Sequence, residues 1–402
     1  MIAINNVTII TPSRTIQRGT ALIRFGQIEA VGDWTEIMVP TGAGVLDARG
    51  LILAPGFIDL QFNGAFGYDL TNNPESIWRV AAQLPRYGVT SFLPTIMTSP
   101  LGTVRRAQEI WHKGPPKGFK GAQALGLHVE GPFLNPAKRG VHDPAFLRPP
   151  SVEDVANWSP ETGVRLVTLA PELLAAMDVI ATLTERGIVV GAGHSMASFD
   201  QTRNSVMAGI RYATHLFNAM GELHHRKPGV LGALLADERV TIGLIVDGIH
   251  VHPALVKLVW HMTGDDRLNL VTDAMAGLGM GDGVYNVGGY KATVSGRRAT
   301  MSNGTLAGSL LSLDRGLRNL LNYTGCSQAE AVRTITTTPA TLLGISGKKG
   351  QIAPGFDADV VLLTPDFRVV ATVIDGQIAY LDESAGLQLQ RKGTGELRQP
   401  AG

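Results

Sequence analysis

Eight short apolar stretches alternate with longer intervening segments between residues 57 and 273, and this alternation limits the fold more than any other feature. The stretches are FIDLQF (57–62), VTSFLPT (89–95), ALGLHVE (124–130), VRLVTLA (164–170), IVVGAGH (188–194), RYATHL (211–216), TIGLIVD (241–247) and LNLVTD (268–273). Their starts lie 23 to 40 residues apart, the span of a strand with its return connection. Several connections carry helix punctuation. Ser198 stands ahead of a run that stops at Gly209, and Pro253 takes a first-turn position with Gly264 as a stop. Ser327 to Glu330 spells a capping box. Eight such units predict an α/β fold, a (β/α)8 TIM-like barrel over 54–346. A doubly wound sheet is the alternative reading of the same alternation.

The two ends of the chain read differently. Residues 1–53 and 347–385 are rich in isoleucine and valine with glycines at the bends, so both are expected to be β structure. Together they predict one small β-sandwich domain, its first part from 1–53 and its second from 347–385. Residues 386–402 are polar, lack periodicity and read as a tail. Only 17% of residues are charged and 48 are glycine, a composition that excludes disorder and coiled coil and leaves material for a large core.

The net charge of +1, with no dense Lys/Arg run, gives no reason to expect nucleic acid as a partner. The most apolar helix candidate, 172–186, carries Glu172, Asp178 and Glu185, so no membrane span is expected. The start MIAINNVTII lacks a basic stretch, and Cys326 stands alone without a disulfide partner. A cytoplasmic location is the expectation.

A barrel places its chemistry at the C-terminal ends of its strands. Those ends hold Gln61 and Asn63 after the first strand, Glu130 on the third, His194 on the fifth and His215 on the sixth. His250 follows the seventh, and Asp273 ends the eighth. Glu130, His194 and His215 form a His₂Glu set, a usual three-ligand shell for catalytic zinc. One histidine alone would be read as a packing residue, but three potential ligands at three strand tips favour a metal. His128 shares the face of Glu130 and reads as a core residue, while His112, His224, His225, His252 and His261 read as surface or packing residues.

Asp273, or a plain helix cap at that position, stands where a carboxylate could take a proton from an activated water and pass it to a leaving amine. Bimetal sites usually need further histidines on the first strand or a lysine on the fourth. Here Gln61 and Asn63 are amides and VRLVTLA has no lysine, which favours one divalent ion per subunit. The glycine-rich run 277–283 does not open a helix after a strand, and no GxSxG or Walker loop occurs.

The segments APGFIDLQFNG, GLHVEGPFLNPAKRGVHDP, TLAPE, GAGHS, THLFNAM, RKPG, DGIHV, LVTDAMA, GTLAGS and GQIAPGFDADVVLL run nearly end to end along the chain. In this order they resemble the N-acetylglucosamine-6-phosphate deacetylases of the amidohydrolase superfamily. The resemblance implies metal ligation by Glu130, His194 and His215, with zinc as the ion, and an acid/base role for Asp273. It implies that His142 polarises the acetyl carbonyl. It further implies a sugar-phosphate pocket lined by Val141, His142, Asn218, Ala219, Arg226, Asp247, Gly248, Ile249, His250, Leu306, Ala307 and Gly308. Arg226 and His250 would meet the phosphate, Arg226 within its own subunit or across an interface of a homodimer or homotetramer. Gln61 and Asn63 match the single-metal branch.

The implied substrate is an acetylated amino-sugar phosphate, hydrolysed to the amine and acetate in amino-sugar catabolism or cell-wall recycling. Three other readings compete. The first is the galactosamine epimer as substrate, or another amidohydrolase of the superfamily. The second is a non-haem iron oxygenase, which also uses two histidines and a carboxylate. The third is an inactive scaffold, which would be expected to lose ligands that this sequence keeps.

Overall fold

Each of the eight apolar stretches becomes a parallel barrel strand in the computed structural model, which describes residues 1–11 and 14–391. The strands are Phe57–Phe62, Val89–Met97, Leu127–Glu130, Val164–Leu169, Val189–Ala192, Ile210–Ala213, Thr241–Leu244 and Leu268–Leu270, each paired with the next. The eighth meets the first through backbone bonds instead of a long ladder. Asp273 N–H donates to the Gln61 carbonyl at 3.0 Å, and Asn63 N–H donates to the Ala274 carbonyl at 2.9 Å. At the other end of this seam a later turn fills the gap. Ile58 N–H reaches the Ile335 carbonyl at 2.8 Å, and Leu270 N–H reaches that of Thr334 at 3.2 Å.

The helix signals act where the sequence places them. Helix Phe199–Ala208 begins at a capping box between Ser198 and Gln201 and ends at Gly209. Helix Pro253–Arg267 has Pro253 in its first turn and breaks at Gly264, whose φ is 58°. Ser327 and Glu330 cap Gln328–Arg333 reciprocally. The third connection differs: only the short 3₁₀ turns Pro136–Lys138 and Pro144–Phe146 lie between the third and fourth strands. Two prolines that fit only a first turn, at 136 and 144, leave no room for a long helix. The loop folds over the strand tips instead. After the eighth strand, a three-stranded antiparallel insertion (Gly283–Val287, Tyr290–Ser295, Arg298–Thr300) precedes helix Leu313–Thr324.

Both chain ends build one mixed sheet, in the order Gln377–Leu381, Val369–Ile374, Val360–Leu363, Ile52–Pro55, Ile2–Ile10, Thr15–Arg24 and Gln27–Asp33. Ile52–Pro55 is the join, parallel to Ile2–Ile10 and antiparallel to Val360–Leu363. The sheet thus extends two residues past the expected boundary at 53. The tail also needs correction: Leu389–Arg391 is a strand, antiparallel to Gly44–Asp47, within the segment read as a polar tail. Residues 392–402 lie outside the described ones. Ile4, Val7, Ile9, Ile28, Leu53, Val360 and Leu362 form this domain's own core. A larger cluster runs between the barrel strands and their helices, including Phe62, Phe92, Val129, Val167, Ile180 and Val256. No helix among the described residues is long and apolar enough to cross a membrane.

Candidate active site

Glu130, His194 and His215 converge at the C-terminal mouth of the barrel, and all three are buried. Glu130 Oε1 lies 3.0 Å from His215 Nε2 and 3.3 Å from His194 Nε2, and the two Nε2 atoms are 3.2 Å apart. Four ligands held tetrahedrally at about 2.0–2.1 Å stand about 3.3 Å from one another, so these three atoms already have the spacing of a tetrahedron's edge. The donor chemistry agrees. His194 Nδ1–H donates to the Lys138 carbonyl at 2.8 Å, which leaves Nε2 with its lone pair turned towards the cluster. Burial opposes the charge on Glu130, but the imidazoles of His194, His215 and His142 packed around it hold its carboxyl well below the usual range. A buried carboxylate beside two imidazole nitrogens fits a divalent cation.

The backbone is strained at these positions. His194, His215 and Asp273 have φ of 54°, 31° and 50°, in the left-handed region that non-glycine residues avoid. Such conformations cost on the order of 1–3 kcal/mol each and persist only where the surroundings fix them. Glu172 supplies part of that support. Its carboxylate accepts from Asn135 Nδ2 at 2.8 Å, Ser195 Oγ at 2.7 Å and Met196 N–H at 2.6 Å, tying together the loops that follow three successive strands.

Asp273 faces the cluster, and burial raises its carboxyl above the usual range. The first-strand amides present N–H groups to the carboxylates. Gln61 Nε2 donates to Glu130 Oε1 at 3.0 Å, and Asn63 Nδ2 donates to Asp273 Oδ1. Both amides thus turn neutral N–H donors, not lone pairs, towards these carboxylates.

His142 closes the other side, with Nε2 3.7 Å from Glu130 Oε2. Thr98 N–H points at His142 Nδ1 from 3.3 Å, and the Thr98 hydroxyl is 2.8 Å from the same nitrogen. A backbone N–H can only donate, so Nδ1 accepts and the ring proton sits on Nε2. Burial, reinforced by the neighbouring imidazoles, pushes His142 down to about 3, so the ring is a neutral donor. His128 is a core residue, as its position suggested. Its nitrogens meet the Leu60 carbonyl and Thr168 Oγ1, and burial pushes it down to about 4.

A cavity of about 370 Å³ opens over these groups. Of the residues expected to bind substrate, Val141, His142, Asn218, Ala219, His250, Leu306 and Gly308 line it. Asp247, Gly248, Ile249 and Ala307 do not; the first three form the turn that carries His250, and Ala307 is packed in the core beneath. Arg226 is exposed on the loop around His224–Lys227, with Nη1 3.0 Å from His225 Nε2, and is also outside this chain's own cavity. Met97, Ala137, Lys138, Gly140, Val287 and Thr305 in the lining were not expected from the sequence, nor were Thr98 and Glu172 behind it. Lys138 and Gly140 lie inside the quoted AKRGVHDP segment, so that segment was their available signal.

A parallel barrel with a His₂Glu cluster and a further buried carboxylate at its strand tips defines a hydrolase of the amidohydrolase class, and the model of the Amidohydrolase family matches residues 52–379. The chain is 35% identical over 95% of its length to the N-acetylglucosamine-6-phosphate deacetylase of Bacillus subtilis (strain 168), covering 98% of that protein. It superposes on the Pasteurella multocida deacetylase of the same name with a TM-score of 0.88 and 31% identity, over 94% of this chain and 99% of that one. A point variant of the Mycobacterium smegmatis enzyme, in complex with N-acetyl-D-glucosamine-6-phosphate, matches with a TM-score of 0.86 and 31% identity over the same shares. The chain belongs to the amidohydrolase family, and within it to the N-acetylglucosamine-6-phosphate deacetylases.

Proposed function

We propose that the chain hydrolyses the acetamide of N-acetylglucosamine 6-phosphate, releasing acetate and glucosamine 6-phosphate. The observation that carries this reading is the position of Asp273 and His142 on either side of the Glu130–His194–His215 cluster, over one cavity, in a chain of this family. Glu130, His194 and His215 would hold one divalent ion per subunit, zinc in this reading, which acidifies a water and polarises the acetyl carbonyl when bound.

The chain's own groups do the rest. Asp273, its basicity raised by burial, accepts the proton of the attacking water and later delivers it to the departing amine. His142 donates its Nε2–H to the oxygen on which negative charge develops, and being neutral it has that proton in place at any working pH. Val141, Asn218, Ala219 and Leu306 surround the sugar, and His250 meets the phosphate. Arg226 is exposed and does not line its own cavity, so we assign it to the phosphate of a neighbouring subunit in a homodimer or homotetramer. The location in this reading is cytoplasmic, and the role is amino-sugar catabolism or cell-wall recycling.

Acetate release measured over a panel of N-acetylated glucosamine and galactosamine, each with and without a 6-phosphate, tests the reading. Preference for the glucosamine 6-phosphate is expected. Equal rates with and without phosphate would sink it, and preference for the galactosamine epimer would move the function to the alternative substrate.

A further inference from the structure

The seventh strand, Thr241–Leu244, ends in a turn that offers only one side chain to the cavity, that of His250. The turn is built around Asp247. Its Oδ1 accepts the backbone N–H groups of Ile249 and His250, both at 2.8 Å, and its Oδ2 accepts His250 Nδ1–H at 2.7 Å. The flanking backbone is pinned as well. Asn319 Nδ2 donates to the Val246 carbonyl at 2.7 Å, and Arg297 reaches that of Asp247 at 3.5 Å. Gly248 has a φ of 74°, in the left-handed region that residues with side chains rarely adopt, so glycine suits the turn. The side chains of Asp247 and His250 are 2% and 7% exposed, which leaves this hydrogen bond little competition from water.

These contacts decide the state of the imidazole. An ionised carboxylate only accepts, so Nδ1 carries a proton, and Nε2 is the ring nitrogen left for the cavity. A neutral ring in that state would present a lone pair, which repels an anion. A ring with both nitrogens protonated presents a charged N–H, and Asp247 is the counter-ion that sustains it. We propose that Asp247 is a positioning residue for phosphate selection, holding His250 by Nδ1 so that a doubly protonated imidazole meets the 6-phosphate of the substrate. This rests on the assignment of His250 to the phosphate and extends it to a residue that never touches the sugar. Burial opposes the charge on Asp247, yet the His250 hydrogen bond holds its carboxyl below the usual range, so the counter-ion is in place.

Asp247→Asn separates geometry from charge. One amide oxygen must still accept the two backbone N–H groups, so the amide NH₂ faces Nδ1. Nδ1 then has to accept, and the single ring proton moves to Nε2. A charge-assisted contact becomes a neutral one of about half the strength, which is roughly a tenfold weaker grip. The expected result is a KM for N-acetylglucosamine 6-phosphate raised about tenfold with kcat within about twofold, and a matching fall in the preference for that sugar over N-acetylglucosamine. In protein labelled with ¹⁵N-histidine, the His250 signals should change from those of a ring protonated on both nitrogens to those of a neutral ring protonated on Nε2 alone. Equal losses on the two sugars, or a fall in kcat alone, would reduce Asp247 to a structural residue and overturn the proposal. His250→Gln is the control that separates the two claims. If it costs the phosphorylated sugar selectively and Asp247→Asn does not, the phosphate site stands and the role of Asp247 falls. If His250→Gln affects both sugars alike, the phosphate assignment falls and this proposal with it.

Discussion

Asn63 donates an amide N–H to Asp273 Oδ1 at 2.6 Å, across the seam where the eighth strand meets the first. One carboxylate oxygen of Asp273 is thereby engaged, and Oδ2 is the one left to handle protons. The bond also selects the rotamer of a side chain whose backbone sits at a φ of 50°. Asn63→Ala should lower kcat about tenfold, the scale of one lost hydrogen bond to a charged group. Metal content should stay at the wild-type level, because Asn63 is not among the three clustered ligands. Elemental analysis beside steady-state kinetics checks both, and a loss of metal in the variant would place Asn63 in the metal shell.

Removal of Asp273's basicity should be far more damaging. Asp273→Asn keeps the shape but cannot take a proton, so turnover should fall by roughly 10²–10⁴-fold with metal retained. If most of the turnover survives, another group is the base.

The arrangement of the first-strand amides leads to a count. Gln61 and Asn63 turn N–H groups towards Glu130 and Asp273, so about one divalent ion per chain is expected at full activity. Chelation should abolish turnover, readdition should restore it, and Glu130→Gln should bind the ion weakly. Two ions per fully active chain by elemental analysis would contradict the single-metal reading.

Arg226 stands outside its own cavity, which makes its loss informative. If it serves a neighbour's phosphate, Arg226→Ala should cost about 10- to 150-fold in kcat/KM on the phosphorylated sugar, the worth of one charge-assisted contact. The preference over the unphosphorylated sugar should fall by the same factor. Mixing Arg226→Ala subunits with Asp273→Asn subunits gives a second readout. Partial recovery of activity in the mixture supports a contribution across the interface, and none argues against it.

Lys349 tests the junction between the two domains. Its ammonium lies 2.5 Å from Asp359 and 3.0 Å from Asp357, and the first of these pairs is almost fully buried. Asp359 also accepts Gly56 N–H through its carbonyl, where the chain passes from the sheet into the first barrel strand. Lys349→Met strands a buried carboxylate and should cost about 3–5 kcal/mol in urea unfolding. Adding Asp359→Asn should recover much of it. A neutral single variant would mean that water reaches Asp359.

The barrel was legible because its strands are apolar runs with polar tips, a pattern that burial imposes on the sequence directly. Glu130, His194, His215 and Asp273 showed themselves by residue type and position alone. Thr98 did not, because it acts on His142 through a backbone N–H, which every residue but proline has. Lys138 was hidden for the same reason, since its carbonyl orients His194 while its side chain is what sequence displays. Asp247 was read as a sugar contact, and only the folded turn shows that its carboxylate is spent on its own neighbours. The strand Leu389–Arg391 is three residues long, too short for any periodicity to rise above a polar background.

The pairing of Pro55 with Val360 fixes the order in which the molecule can be completed during synthesis. Ile52–Pro55 emerges early, and one edge of it stays open until a segment some three hundred residues later has been made. The barrel seam waits almost as long, since Ile58 needs the carbonyl of Ile335. A nascent chain of this protein therefore carries an unfinished sheet edge and an open barrel for most of its translation, two surfaces on which a growing polypeptide is most exposed to wrong partners. The late strands Val360–Leu363 and Val369–Ile374 act as a latch, and a chain cut before residue 360 would have every ligand of the active site without the segment that pairs with Ile52–Pro55, the strand leading into the first barrel strand.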